Sequence, residues 1–139
     1  MKILVAADGS RYTKRMLAYI AEHEWLGSQH SYTVLTVVGA IPPRAATALS
    51  KNIVQGHYTD EAEKTLKPIR GFFSKKGVQA EFTHKVGDAG EVIAEFARKG
   101  KFDLVMMGSH GHGAVARLVL GSVASRVLAV CDVPLLIVR

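Results

Sequence analysis

Three groups of residues in this 139-residue chain have the types and spacing to do chemistry. The first is Gly108-Ser109-His110-Gly111, followed after nine residues by Gly121-Ser122. Gly108 and Gly111 let the backbone turn and approach an anion with no Cβ in the way. A helix opening at Gly121-Ser122 would aim its N-terminus at the same place. Ser122 would cap that helix or donate its hydroxyl to a phosphate, and Ser109, at the tip of the loop, would add a second hydroxyl. The second group is Asp8 in Ala6-Ala7-Asp8-Gly9-Ser10. A carboxylate beside a polyphosphate is tolerable only with a hydroxyl or a metal to engage, so Asp8 points to a ribose or a magnesium ion. The third is the close pair His110 and His112, which has no clustered cysteine or carboxylate to complete a metal site; a surface or phosphate-contacting position suits it better.

Other chemistries fail on spacing. A Walker A loop is excluded because no glycine precedes a Lys-Ser or Lys-Thr pair at the required distance. The run Gly111-His112-Gly113-Ala114-Val115-Ala116 matches a weak dinucleotide fingerprint. Its acidic partner would be Asp132, which precedes the last strand and so sits at the wrong end of a sheet to reach a ribose. No serine stands in a G-x-S-x-G elbow, and Ser109 and Ser122 have no base and orienting group beside them, so no catalytic residue is assigned.

Composition narrows the partners. The net charge of +6 and a pI near 9.6 suit a polyanionic ligand. Lysines and arginines are scattered singly or in pairs with no aromatic stacking array, which argues against nucleic acid. The one cysteine, Cys131, allows no internal disulfide and fits a reducing compartment. No apolar run approaches the roughly 20 residues needed to span a bilayer, and the first apolar stretch turns acidic at Asp8 too soon for a signal peptide. The expectation is a cytoplasmic protein folded as a single domain over residues 1–139.

These residues need elements to hold them. Residues 2–7 form a nearly continuous apolar run, as in a strand covered on both faces. Ser10 is placed to cap a helix with Leu17, Ile20 and Ala21 at helical spacing and Gly27 as its stop. The β-branched residues 31–38 predict a second strand. Residues 39–58, with Gly39, Pro42, Pro43 and Gly56, read as a long connection beginning as a surface loop, or as a lid. Thr59 or Asp60 would then cap a helix with Leu66, Ile69 and Phe73 on one face, ending at Gly77. Pro68 should kink that helix or move its start later. A third strand spans residues 79–86. Asp88 and Glu91, at capping-box spacing, open a helix carrying Val92, Ile93, Phe96 and Ala97 and closing at Gly100. The fourth strand, Leu104-Val105-Met106-Met107, enters the glycine loop. A helix over residues 123–130 leaves it, and residues 135–138 form a last strand. Five strands alternating with four helices imply a doubly wound, mostly parallel α/β sheet whose ligand lies beyond the carboxyl ends of the strands.

Gly108-x2-Gly111-x9-Gly121-Ser122 resembles the G-2x-G-9x-G-[ST] signature of the ATP-binding branch of the universal stress proteins. Ile3-Leu4-Val5-Ala6-Ala7-Asp8-Gly9-Ser10 and Asp132-Val133-Pro134-Leu135-Leu136-Ile137-Val138 are similar to the same family. The resemblance implies a five-stranded parallel sheet of order 3-2-1-4-5 with helices on both faces, like that of the adenine nucleotide alpha hydrolases. It also implies an adenine against Val37, Ala6, Ala7 and Asp8, with ribose and phosphates at Met107, Gly108, Ser109, Gly111, Gly121, Ser122 and Val123. ATP, or AMP or ADP, would be the ligand, with magnesium possible at Asp8. A homodimer would form through the last strand, Val133 to Arg139, and the nucleotide would regulate rather than be turned over. Two positions depart from the pattern. Ala124-Ser125 stand where many relatives carry a hydroxyl or an acid, and His112 adds a group titrating near neutrality to the phosphate contacts. Two alternatives carry their own signatures: a nucleotide-independent dimeric interaction protein of the same fold, and a nucleotidyl-transferring enzyme. The latter tends to show His-Gly or Ser-Gly-Gly after the first strand, where this chain has Asp8-Gly9-Ser10.

Overall fold

The computed structural model describes residues 1–113 and 117–139. Residues 114–116, the end of the dinucleotide-like run from Gly111 to Ala116, lie outside the described residues. Strand β1 (Lys2–Ala6) sits at the middle of one sheet because its side chains are apolar on both sides: Ile3, Leu4 and Val5 are each fully buried. β2 (Ser31–Val38) and β4 (Leu104–Gly108) pair with it in parallel, β3 (Ala80–Val86) joins β2, and β5 (Leu135–Val138) joins β4. The order is β3-β2-β1-β4-β5, as the resemblance implied.

Alternation along β1 splits the core in two. Ile3 and Val5 pack with Met16 and Ile20 of α1 (Arg11–Glu22) and with Leu66, Ile69 and Phe73 of α3 (Lys51–Lys76). Leu4 and Ala6 face Ile93 and Ala97 of α4 (Ala89–Lys99) and Ala124 and Val127 of α5 (Ser122–Val130). Helices therefore cover both faces. Since α1 follows β1 and α5 follows β4 on opposite sides, the loops after these neighbouring strands part and leave a crevice.

Several element boundaries differ from expectation. The connection over residues 39–58 is largely helical: α2 (Pro43–Ala48) is followed by α3, whose start is capped by Ser50, its side chain accepting from the Ile53 N–H at 3.2 Å. Thr59 and Asp60 lie inside α3. Periodicity hid this start because the buried stripe, Tyr58, Ala62, Leu66, Ile69 and Phe73, begins only in the third turn. Pro68 neither delays nor ends α3; it lies on the exposed side, and the stripe on either side of it holds the helix together. α1 ends at Glu22, and a 3-10 turn (Glu24–Leu26) fills the distance to Gly27. Its inward residues are Tyr12, Thr13, Met16 and Ile20, while Ala21 is exposed. Asp88 caps α4 by accepting from the Glu91 N–H at 3.2 Å, but the Glu91 carboxylate turns to Arg126 rather than back to the cap.

Candidate functional site

The two loops that carry the candidate residues meet at the carboxyl edge of the sheet. Ala6 pairs with Met107 across β1 and β4, so Asp8 and the glycine loop leave the sheet side by side. Between them lies a cavity of about 390 Å³, within the range usual for small-molecule sites. Its apolar side is built by Ala6, Leu35, Val37, Ile93, Met107 and Ala124, and its polar side by Asp8, Thr13, His110, His112 and Ser122.

Asp8 is held by local bonds. Its Oδ1 accepts from the Ser10 N–H at 2.9 Å and from the Thr13 hydroxyl at 3.1 Å, and Thr13 Oγ1 in turn accepts from the N–H groups of Asp8 and Gly9. This Asx-type turn leads the chain from β1 into α1. Ser10 occupies the N-cap position, but its Oγ is buried with no partner. Asp8 Oδ2 is left over and faces Gly111, where a Cβ would stand 2.7 Å from it. A side chain at this position would displace the Asp8 carboxylate, so glycine lets the two loops approach with Asp8 in place.

Both histidines line the cavity, and their rings bond to the backbone. His112 Nε2 donates to the backbone carbonyl of Asp8 at 2.7 Å, clasping the β4 loop to the β1 loop. His110 Nε2 donates to the Leu118 carbonyl at 2.8 Å. In the neutral ring this leaves Nδ1 to accept the Ser109 hydroxyl at the same distance. Ser109 is accordingly not at the loop tip. It is 1% exposed, its hydroxyl is taken by His110, and it does not line the cavity.

Gly108 is not a turn residue. It ends β4, paired with Val138, and a Cβ there would stand 2.6 Å from that of Tyr12. Its smallness lets α1 lie against the end of β4. Gly121 takes the N-cap position of α5 and Ser122 the first helical position, so the free N–H groups of that first turn open on the cavity.

The structure thus brings Ala6, Ala7, Asp8, Val37, Met107, Gly108, Gly111, His112, Gly121, Ser122 and Val123 to one cavity and leaves Ser109 out. It adds residues the motif did not name. Leu35 was legible as the residue two before Val37 on the same strand face. Ala89 and Ile93 share one face of α4, four residues apart, and only the sheet order shows that this face turns to the cavity. Among the described residues no group of three His, Cys, Asp or Glu could hold a metal ion. No helix of the described residues is long and apolar enough to cross a membrane.

A doubly wound parallel sheet with a cavity between the loops of two neighbouring, oppositely wound strands defines an α/β protein with a cleft at the topological switch point. The Universal stress protein family matches residues 1–139, and the chain belongs to that family. It is 30% identical over 138 residues to the universal stress protein Slr1230 of Synechocystis, covering 99% of this chain and 42% of that one. It is 33% identical over 138 residues to a universal stress protein of Thermus aquaticus, covering 99% and 97%. With MJ0531 of Methanocaldococcus jannaschii the identity is 35% over 80 residues, 58% of this chain and 47% of that one. The chain thus spans about half the length of the first and last of these relatives. Among solved structures, MJ0577 superposes with a TM-score of 0.81 at 24% identity, covering 99% and 94% of the two chains. A universal stress protein of Archaeoglobus fulgidus in complex with dAMP gives 0.71 at 22%, covering 100% and 98%. An Arabidopsis thaliana family member with AMP bound gives 0.71 at 18%, covering 99% and 90%. At these identities the superpositions speak to the fold.

Proposed function

We propose that this chain binds an adenine nucleotide, ATP in the first instance, in the cleft between the β1 and β4 loops, and that the nucleotide is a regulatory ligand in a stress response. One observation carries this: the Asp8 turn, Gly111 and the first turn of α5 converge on a single cavity whose opposite side is apolar. That division suits a flat base on Val37 and Ala6, a ribose hydroxyl at Asp8 Oδ2 and a phosphate at the N–H groups of Ser122 and Val123, the Gly121 N–H being taken by the Ser109 carbonyl. The gap at Gly111, which a Cβ would close, is the feature that fits a ligand threaded between the loops. Magnesium, where present, would take Asp8 together with phosphate oxygens and water. The AMP and dAMP held by structurally similar family members support the ligand class.

Regulation rather than turnover follows from how the polar groups are spent. Ser109, bonded to His110, is buried outside the cavity, and the Thr13 hydroxyl and His112 bond within the two loops, which leaves Asp8 Oδ2 as a carboxylate oxygen placed to accept from a ligand hydroxyl. We further propose one domain over residues 1–139, a homodimer through β5, and a cytoplasmic location.

Calorimetric titration with ATP and with AMP tests the reading, with Gly111→Val and Gly121→Val as controls. Native protein should bind at micromolar to sub-millimolar concentrations, both variants at least about tenfold more weakly, which is about 1.4 kcal/mol. Silence of the native protein at millimolar nucleotide, or unchanged binding by the variants, would overturn it and favour the nucleotide-independent interaction protein.

A further inference from the structure

The main cavity has no lysine or arginine on its lining among the described residues, although a nucleotide brings several negative charges. Residues 114–116 are Ala, Val and Ala and add none. One cation stands beside it: Arg126, in a second cavity of about 340 Å³ formed by Asp88, Gly90, Glu91 and Arg126. The two cavities share Ala89, Ser122 and Val123 and so adjoin at the first turn of α5. Arg126 lies four residues after Ser122 on the same helix, hence on the same face and about 6 Å further along it.

In this structure Arg126 is engaged. Its guanidinium donates from Nε to Glu91 Oε1 at 2.6 Å and closes a second bond to the same oxygen. The pair spans α4 and α5, with each side chain about half exposed. α4 and α5 approach so closely that a Cβ on Gly90 would stand 2.7 Å from that of Arg126, which holds the arginine's stem at the cavity wall. An exposed ion pair of this kind contributes little, because water readily replaces either partner. A phosphate chain is the stronger competitor: it offers several charged oxygens and a fork geometry that a guanidinium matches.

We propose that Arg126 sets the preference of the site for phosphate-chain length. It leaves Glu91 for the terminal phosphates of a di- or triphosphate, and a monophosphate held at Ser122 lies short of it. The inference rests on the nucleotide reading above and deepens it. Asp88 and Glu91 sharpen the discrimination, since both carboxylates flank the same cavity and repel a polyphosphate unless Arg126 answers it.

The test is calorimetric titration of the full chain with ATP and AMP, on native protein and on Arg126→Gln, Arg126→Lys and Glu91→Gln. The thermal midpoint of each unliganded variant shows that it is folded. Arg126→Gln should weaken ATP by about ten- to a hundredfold and leave AMP within about twofold. Arg126→Lys should recover part of the loss, and Glu91→Gln should tighten ATP by freeing the arginine. An ATP to AMP affinity ratio unchanged in Arg126→Gln, whether both affinities fall together or neither moves, overturns the inference while leaving the nucleotide site standing. Native protein that binds neither ligand overturns both.

Discussion

Asp8 does two jobs through two oxygens, and substitutions separate them. Oδ1 closes the turn that leads into α1, while Oδ2 has no hydrogen-bond partner among the described residues and faces the cleft. Asp8→Asn retains an acceptor for Ser10 and Thr13, so its chemical-denaturation midpoint should stay within about 0.5 kcal/mol of native. Asp8→Ala should cost about 1–2 kcal/mol. Both should weaken nucleotide binding, which would divide the ligand contact from the structural one. Tyr32 gives a second prediction at this scale. Its ring is buried in the core, its hydroxyl donates to the carbonyls of Leu26 and Gly27, and burial raises its pKa from the usual 10.0. A raised folded-state pKa means the folded protein holds that proton more tightly than the unfolded chain. The stability so gained is complete below about pH 10 and lost as pH climbs through the folded value. Tyr32→Phe should therefore be less stable at pH 8 by about 1 kcal/mol and lose less on going from pH 9 to 11, as followed by circular dichroism.

At the scale of elements, α3 shows where local rules yield to packing. Pro68 removes one backbone hydrogen bond on an exposed side, and the buried residues around it keep the helix continuous. Pro68→Ala should raise thermal stability by about 1–2 kcal/mol, since it restores the bond without touching the core; a lower thermal midpoint would contradict that account. The same helix marks the limit of legibility. All five strands were legible to within a residue or so: the interior ones as continuous apolar or β-branched runs, as a two-sided parallel sheet requires, and edge strand β3 from the breaks on either side of it. Apolar patterning missed α2 and the first turns of α3, because no residue there is buried before Tyr58 and an unburied helix leaves no period to read. The candidate site divided in the same way. Backbone-dictated positions such as Gly111 and Gly121 were readable from spacing. Side-chain directions were not: Ser109 turns inward to His110, and His112 reaches a carbonyl 104 residues away, because both depend on where β1 and β4 fall in the sheet.

At the scale of the whole molecule, β5 is an open edge. Val105 donates to the Pro134 carbonyl and Ser109 to that of Val138, so the even-numbered residues face β4 and the peptide groups of Leu135 and Ile137 face outward. Each residue of the strand, Leu135 to Val138, is only partly buried. An apolar edge of this kind invites pairing with a second copy. Ile137→Pro removes one outward donor and spares the ladder to β4, so if the proposed dimer forms through β5, light scattering after size exclusion should give a dimer for the native chain and a folded monomer for the variant.

The bond from His112 to the Asp8 carbonyl has a consequence for how the chain folds. It joins two loops 104 residues apart in sequence, and the strands that bring them together, β1 and β4, belong to opposite halves of the chain. The cleft therefore comes into being only when this long-range pairing does, late in folding and at high loop-closure cost. No fragment holding one half contains both walls. A ligand seated there must stabilise the molecule against global unfolding rather than against local fraying. At a hundred times its dissociation constant it should add about 2.7 kcal/mol, visible as slowed exchange of the amides in β1 and β4 as well as in the loops.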